Sequence, residues 1–259
     1  MIKLKQFLGG LICALCGWML TACSSDEANP LENSGKGIVS LSLSTKTDFG
    51  LETRAIDDSY SKVENYTVQF LKGNEVEYSS SYNDLKDKFI PLENGPYTVK
   101  AFYGTEEPAS TAEMYVEGSD GITLNNDTVS FTLTCTPKCA KVVVDFSEDM
   151  PKYFSEYNVK FETSALKANE EYYIWEKDFS NPVYLRMDQA ETVKATISLT
   201  KISDNKTSSI EKEYKMIPAE FKTIHIKPVV NTGNVGIEIT IDETTNDHEV
   251  DIEVPSDWI

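Results

Sequence analysis

The sequence predicts an all-β protein made of two antiparallel β-sandwiches in tandem. Three observations predict it. From residue 38 onward, short apolar runs alternate with polar residues at a period of two, the spacing at which a strand buries one face. No long stretch keeps apolar residues at i, i+3, i+4 and i+7, the pattern an amphipathic helix needs. Similar segments recur at offsets of 91 and 94 residues, the mark of a repeated unit.

The segment before the first strand is a processing and tethering region. Lys3 and Lys5 precede an apolar stretch from Phe7 to Leu20, followed by Leu20-Thr21-Ala22-Cys23. The stretch is shorter than the roughly 20 residues of a membrane span. Leu-Thr-Ala-Cys resembles the lipobox of bacterial lipoproteins, which implies that residues 1–22 are a signal peptide and that the Cys23 thiol carries fatty acyl chains such as palmitate. The alternative is an uncleaved anchor helix. Cleavage removes two lysines and no acid, so 24 basic residues become 22 against 42 acidic ones and the charge moves from −18 to −20. Residues 23–37 hold Ser24-Ser25-Asp26-Glu27-Ala28-Asn29-Pro30 and Asn33-Ser34-Gly35-Lys36-Gly37, a polar stretch that reads as a flexible tether. An acidic, Ser-rich start after the lipidated cysteine resembles the surface-export signal of Bacteroidota lipoproteins. That implies an outer-membrane protein facing the cell exterior.

The strands follow in order. Val39, Leu41 and Leu43 alternate with serines, and the pattern returns at Tyr66-Val68-Phe70, Tyr97-Val99-Ala101 and Val129-Phe131-Leu133. It continues through Val142-Val144-Phe146, Tyr157-Val159-Phe161, Val193-Ala195-Ile197-Leu199, Ile224-Ile226, Val235-Ile237-Ile239-Ile241 and Val250-Ile252-Val254. Lys72-Gly73-Asn74, Glu93-Asn94-Gly95-Pro96 and Ser119-Asp120-Gly121 read as turns between them. Only Tyr82–Lys88 and Pro151–Tyr157 read as helical turns. Many short strands separated by turn residues point to sandwiches rather than an α/β fold.

The 237 residues after the signal exceed the needs of one small sandwich. Tyr66-Thr67-Val68-Gln69-Phe70 recurs as Tyr157-Asn158-Val159-Lys160-Phe161, and Thr98-Val99-Lys100-Ala101 as Thr192-Val193-Lys194-Ala195. The expected division is therefore an N-terminal sandwich at 38–138 and a C-terminal sandwich at 139–259. Leu92-Glu93-Asn94-Gly95-Pro96-Tyr97-Thr98-Val99 resembles the L-x-x-G-x-Y-x-V turn of transthyretin-like sandwiches, with Tyr97 and Val99 pointing inward. Together with the lipobox and Thr53-Arg54-Ala55, the layout resembles fimbrillin-like and uncharacterised surface lipoproteins of the Bacteroidota.

Composition and motifs narrow the function by exclusion. A charge of −18 argues against nucleic acid and against electrostatic attachment to an anionic membrane. His225 lies on the polar side of a strand and His248 in an acidic turn, neither beside a sequence partner at metal-ligand spacing. No phosphate-binding Gly-rich loop appears. No cofactor or metal is expected. Glu238, Asp242, Glu243, Asp247, Glu249, Asp251 and Glu253 concentrate charge near the C-terminus, where calcium could relieve it, but the spacing fits no calcium loop.

Four sets of residues are candidates for function. Cys135 and Cys139 could close a disulfide staple at the junction, or remain separate thiols, one of them buried. Tyr173 and Trp175, in Tyr172-Tyr173-Ile174-Trp175, could face outward as a stacking surface for a glycan; the opposite parity puts Trp175 in the core. Arg54 is one of two arginines, the other being Arg186. The resemblance to fimbrillins implies that an arginine-specific protease cuts after Arg54 and that removal of the leading strand opens a groove for a neighbouring subunit. Asp127-Thr128-Val129 resembles a short O-glycosylation motif, or Thr128 simply opens a strand. These features predict a non-enzymatic, lipid-anchored surface protein, an adhesin or a fimbrial subunit or accessory. The alternative is a glycan-binding lipoprotein of a polysaccharide uptake system.

Overall fold

Val39 and Leu41 lie at the centre of the first core, on a strand, β1 (Lys36–Thr45), that starts two residues before the expected boundary. The computed structural model describes residues 35–46, 58–231 and 234–242. Cys23, Arg54, His248 and the run Val250–Val254 lie outside the described residues.

After β1 come β2 (Thr67–Lys72), β3 (Glu75–Ser81), the one-turn helix α1 (Tyr82–Leu85), β4 (Phe89–Glu93) and β5 (Gly95–Tyr103). Then follow β6 (Ala109–Ser110), β7 (Val116–Leu124) and β8 (Thr128–Pro137). Seven of these run in the order β3-β2-β5-β7-β8-β1-β4. Between β7 and β8 only Val116 and Glu117 pair, with Pro137 and Thr136, so the sheet breaks there into two leaves. Val68, Phe70, Val99 and Ala101 from one leaf meet Val39, Leu41, Ile90 and Leu133 from the other in a single buried cluster.

Local chemistry explains the turns. Gly95 has φ +135°, which a side chain would strain, and it lets the chain cross from β4 in one leaf to β5 in the other so that Tyr97 and Val99 point inward as expected. Ser119-Asp120-Gly121 is not the expected turn but the middle of β7. Glycine serves close approach here: a Cβ at Gly118 would stand 2.6 Å from the Thr134 carbonyl oxygen and 3.0 Å from the Cys135 sulfur.

The second half repeats the plan. Its strands are β9 (Cys139–Phe146), β10 (Phe154–Glu162), β11 (Tyr173–Glu176), β12 (Val183–Arg186) and β13 (Glu191–Lys201). They are completed by β14 (Thr207–Met216), β15 (Phe221–Asn231) and β16 (Asn234–Asp242). One sheet has the order β11-β10-β13-β14 and the other β16-β15-β9-β12-β6. Val142, Val144, Val159, Phe161, Ile197, Leu199, Ile224 and Ile226 fill the cluster between them. A second helix, α2 (Ser164–Ala168), follows β10, its first turn capped by the Thr163 hydroxyl accepting from Leu166 N–H at 3.1 Å. Five residues are too few to show a helical period. Of the expected Pro151–Tyr157 turn, only a 3₁₀ turn at Met150–Lys152 forms before β10 begins.

The repeated segments fall on equivalent strands, β2 with β10 and β5 with β13. Each half also contains one parallel pair in an otherwise antiparallel set. β1 runs antiparallel to β4 and parallel to β8; β9 runs antiparallel to β12 and parallel to β15. The second half differs in adding β16, which pairs with β15 from Thr223 against Asp242 to Asn231 against Asn234.

Candidate functional site

The chain passes from the first set of sheets to the second through Pro137, Lys138 and Cys139, and the two halves interlock there. β6, from the first half, pairs with β12 of the second, Leu185 opposite Ala109 and Tyr184 opposite Ser110. The start of β9 is buried on both sides: Cys139 belongs to the first cluster, Ala140 and Val142 to the second. Tyr184 of β12 is likewise part of the first cluster. The Arg186 N–H donates to the Pro108 carbonyl and the Met187 N–H to the Lys138 carbonyl, each at 2.9 Å.

Charged side chains fasten the same seam. The Arg186 guanidinium meets Glu106 at 2.7 Å and Asp188 at 2.9 Å and lies 5.2 Å from the centre of the Tyr115 ring. Lys100 Nζ stands 2.8 Å from Glu117 and 3.6 Å from Glu106. The Tyr115 hydroxyl donates to Glu117 through a short hydrogen bond. Burial, followed by the Glu117 carboxylate, pushes the Tyr115 hydroxyl far above its ordinary range, so it acts as a fixed donor. Burial raises the Glu106 carboxyl, but the hydrogen bond and charge of Arg186, with Lys100, outweigh it and hold the group below its ordinary value. Burial lowers Arg186 and its two carboxylates more than reverse this, so it stays charged.

Beside this network is an open pocket of about 280 Å³ on the outer face of β2 and β5, under the chain at Gly104–Glu106. Gln69, Lys100 and Phe102 reach it from the strands, opposite in parity to inward Phe70, Val99 and Ala101. Thr105, Glu106 and Tyr115 close its side.

Two expected sites are corrected by the structure. Cys135 and Cys139 are free thiols, both buried. Their sulfurs face different carbonyls, Ala101 at 3.7 Å and Tyr115 at 3.8 Å. The chain bends at Lys138 between β8 and β9, and each sulfur is taken up by a separate backbone carbonyl rather than by the other sulfur. Burial pushes both thiols up to about 12, with Glu117 adding to the effect at Cys135. Neither thiol should therefore react with a thiol-specific alkylating reagent at pH 8 while the protein is folded, whereas both should react at once in urea. Rapid labelling of the native protein would contradict this placement.

Trp175 is the second correction. It is fully buried, because β11 pairs with β10 in a register that sets Trp175 opposite inward Val159. Tyr173 shares that face and is half-buried, while Tyr172 is exposed. The pair Tyr173 and Trp175 thus forms no outer stacking surface.

The other candidates are placed as follows. His225 is on the polar face, as expected, and the parallel pairing of β15 with β9 brings Asp145 within 2.8 Å of its Nδ1. Glu238 pairs with Lys227 at 2.8 Å. Thr128 is the exposed first residue of β8. No local motif signals Arg186, which fastens the seam through Glu106, Asp188 and the Tyr115 ring, nor the pocket residues Gln69 and Phe102 beside it.

The model of a family described as Domain of unknown function (DUF4493) matches residues 35–256, a span that includes both sets of sheets. The chain belongs to this family. No curated protein matches it. Among solved structures, a proposed adhesin of Bacteroides ovatus covers 83% of this chain and 96% of its own, at 8% identity and a TM-score of 0.51, and shares the fold. A proposed polysaccharide-binding protein of Bacteroides thetaiotaomicron is similar over 83% of this chain and 98% of its own, with 10% identity and a TM-score of 0.43. A fimbrial assembly protein of Parabacteroides distasonis is similar over 83% and 97%, with 14% identity and a TM-score of 0.35.

Proposed function

We propose that the DUF4493 chain is a non-enzymatic, lipid-anchored protein of the outer cell surface that serves in adhesion or as a fimbrial subunit or accessory. In this reading residues 1–22 are removed, Cys23 carries the lipid, residues 23–37 are the tether, and the sandwiches at 38–138 and 139–259 are displayed. The supporting observation is the place of β1. It is the leading strand, it lies between β4 and β8, and it supplies Val39 and Leu41 to the first core. Arg54 follows Thr45 by nine residues. A cut after Arg54 releases β1 and leaves a groove flanked by the edges of β4 and β8. A strand from another subunit, for which Val250–Val254 has the alternation, would fill it by β-augmentation.

The protein purified without its lipid tests this. An arginine-specific protease should clip it between Thr45 and Asp58, and the clipped form should assemble into ladders that survive detergent and dissociate on heating. Arg54→Ala should block both. A protein that clips and stays monomeric under these conditions refutes strand exchange. Protease shaving of intact cells tests display, and full protection would place the protein inside the outer membrane.

A further inference from the structure

The pocket beside the junction has a chemistry of its own. We propose that it is a binding subsite for one neutral sugar ring of a glycan, with Phe102 as the aromatic contact and Gln69 as the principal polar contact. The inference deepens the adhesive reading by naming what is gripped, and it is independent of strand exchange.

Three properties of the pocket lead to a neutral sugar. The first is charge. Lys100 and Glu106 both line the pocket and stand 3.6 Å apart, and each is engaged further, Lys100 by Glu117 and Glu106 by Arg186. The ions neutralise one another, so neither a free anion nor a free cation finds an unopposed partner. The chain's charge of −18 repels acidic polymers as well.

The second is the pair of uncharged groups that line the pocket. The Gln69 side-chain amide has no partner among the described residues, and it sits directly across the strand pair from Lys100. An amide offers two donors and an acceptor, which suits the paired hydroxyls of a sugar. Phe102 is half-buried and diagonal to Gln69 across β5 and β2; Lys100 Nζ stands 5.6 Å from its ring centre and the Tyr115 ring 6.4 Å away, and the ring still lines the pocket. The negative face of an aromatic ring attracts C–H groups with partial positive charge, which the apolar side of a pyranose presents.

The third is size and rigidity. A volume of about 280 Å³ lies just below the roughly 300–1,000 Å³ of pockets that enclose drug-sized ligands. It takes one ring and leaves the neighbouring sugars outside. Tyr115, Glu117 and Arg186 hold Lys100 and Glu106 in place before any ligand arrives, so binding requires little ordering of the wall. The pocket opens on the outer face of a sheet, where a long polymer can pass across it.

Affinity electrophoresis of the mature chain through gels containing mannan, dextran, galactan or xylan tests the proposal, with polygalacturonate and heparin as acidic controls. At least one neutral polymer should retard the protein, and the acidic polymers should not. Phe102→Ala and Gln69→Ala should each weaken that retardation about tenfold or more, while Tyr172→Ala, on an exposed position elsewhere, should leave it unchanged. Gln69 is half-buried on the outer face of β2, outside the core cluster, so its variant remains informative if Phe102→Ala is unstable. No retardation by any neutral polymer, equal retardation by the acidic ones, or full binding by the Gln69 variant overturns the site. A protein that polymerises after cleavage but fails to bind loses this site and keeps the subunit reading; one that binds without polymerising does the reverse.

Discussion

Trp175→Ala should lower the stability of the protein by about 3–5 kcal/mol, the usual cost of truncating a large aromatic in a core. Trp175 is fully buried among the residues of the second cluster, opposite Val159 and edge-on to Phe179 at 6.4 Å between ring centres. Its Nε1 has no hydrogen-bond partner among the described residues, so the side chain contributes through packing alone. Trp175→Phe should then cost much less than Trp175→Ala, because it keeps an aromatic body and removes an unsatisfied donor. Tyr172→Ala, three positions earlier on an exposed side chain, should change stability by no more than about 0.5 kcal/mol. Urea unfolding followed by tyrosine and tryptophan fluorescence gives the midpoints. A Trp175→Ala midpoint within error of the parent would contradict the register of β11 against β10.

The same residue shows what the sequence can and cannot specify. Period-two alternation identifies the inward sets at Tyr66-Val68-Phe70 and Val193-Ala195-Ile197-Leu199, all of them buried. It fails where both parities are aromatic, as in Tyr172-Tyr173-Ile174-Trp175, since only pairing with Val159 decides which side faces the core. Parallel pairing is equally hidden. Ile38 meets Thr128 and His225 meets Asp145, contacts joined by topology alone with no turn to mark them. Glycine misleads in a third way, because Ser119-Asp120-Gly121 reads as a turn but lies within β7, where the preceding Gly118 makes room for β8. The junction was the least legible feature of all. Lys100, Glu106, Tyr115, Glu117 and Arg186 share no local pattern, and only the pairing of β6 with β12 brings the arginine to the others.

Arg186→Ala should therefore act on the coupling between the halves more than on either core. The parent protein should unfold in one calorimetric transition, because β6 pairs with β12 and because Tyr184 is shared with the first cluster. Arg186 is 16% exposed, while its partners Glu106 and Asp188 are 50% and 74% exposed, so solvent screening reduces what the ion pairs contribute. Loss of these bonds and of the stacking on Tyr115 should cost about 1–2 kcal/mol at the seam, enough to separate the two halves into distinct transitions. Arg186→Lys keeps the charge but loses the planar fork and the stacking, and should fall between the two. Acid should mimic the truncation. The folded Glu106 carboxyl is held below its ordinary value of 4.5, so its contribution is full above that pH and fades as the pH falls through the folded value. The parent should thus lose coupling below about pH 4.5, and Arg186→Ala, already lacking the guanidinium that lowers Glu106, should show a smaller loss over the same range. A single transition in the alanine variant, with the parent's own pH profile, would mean that strand pairing alone holds the halves together.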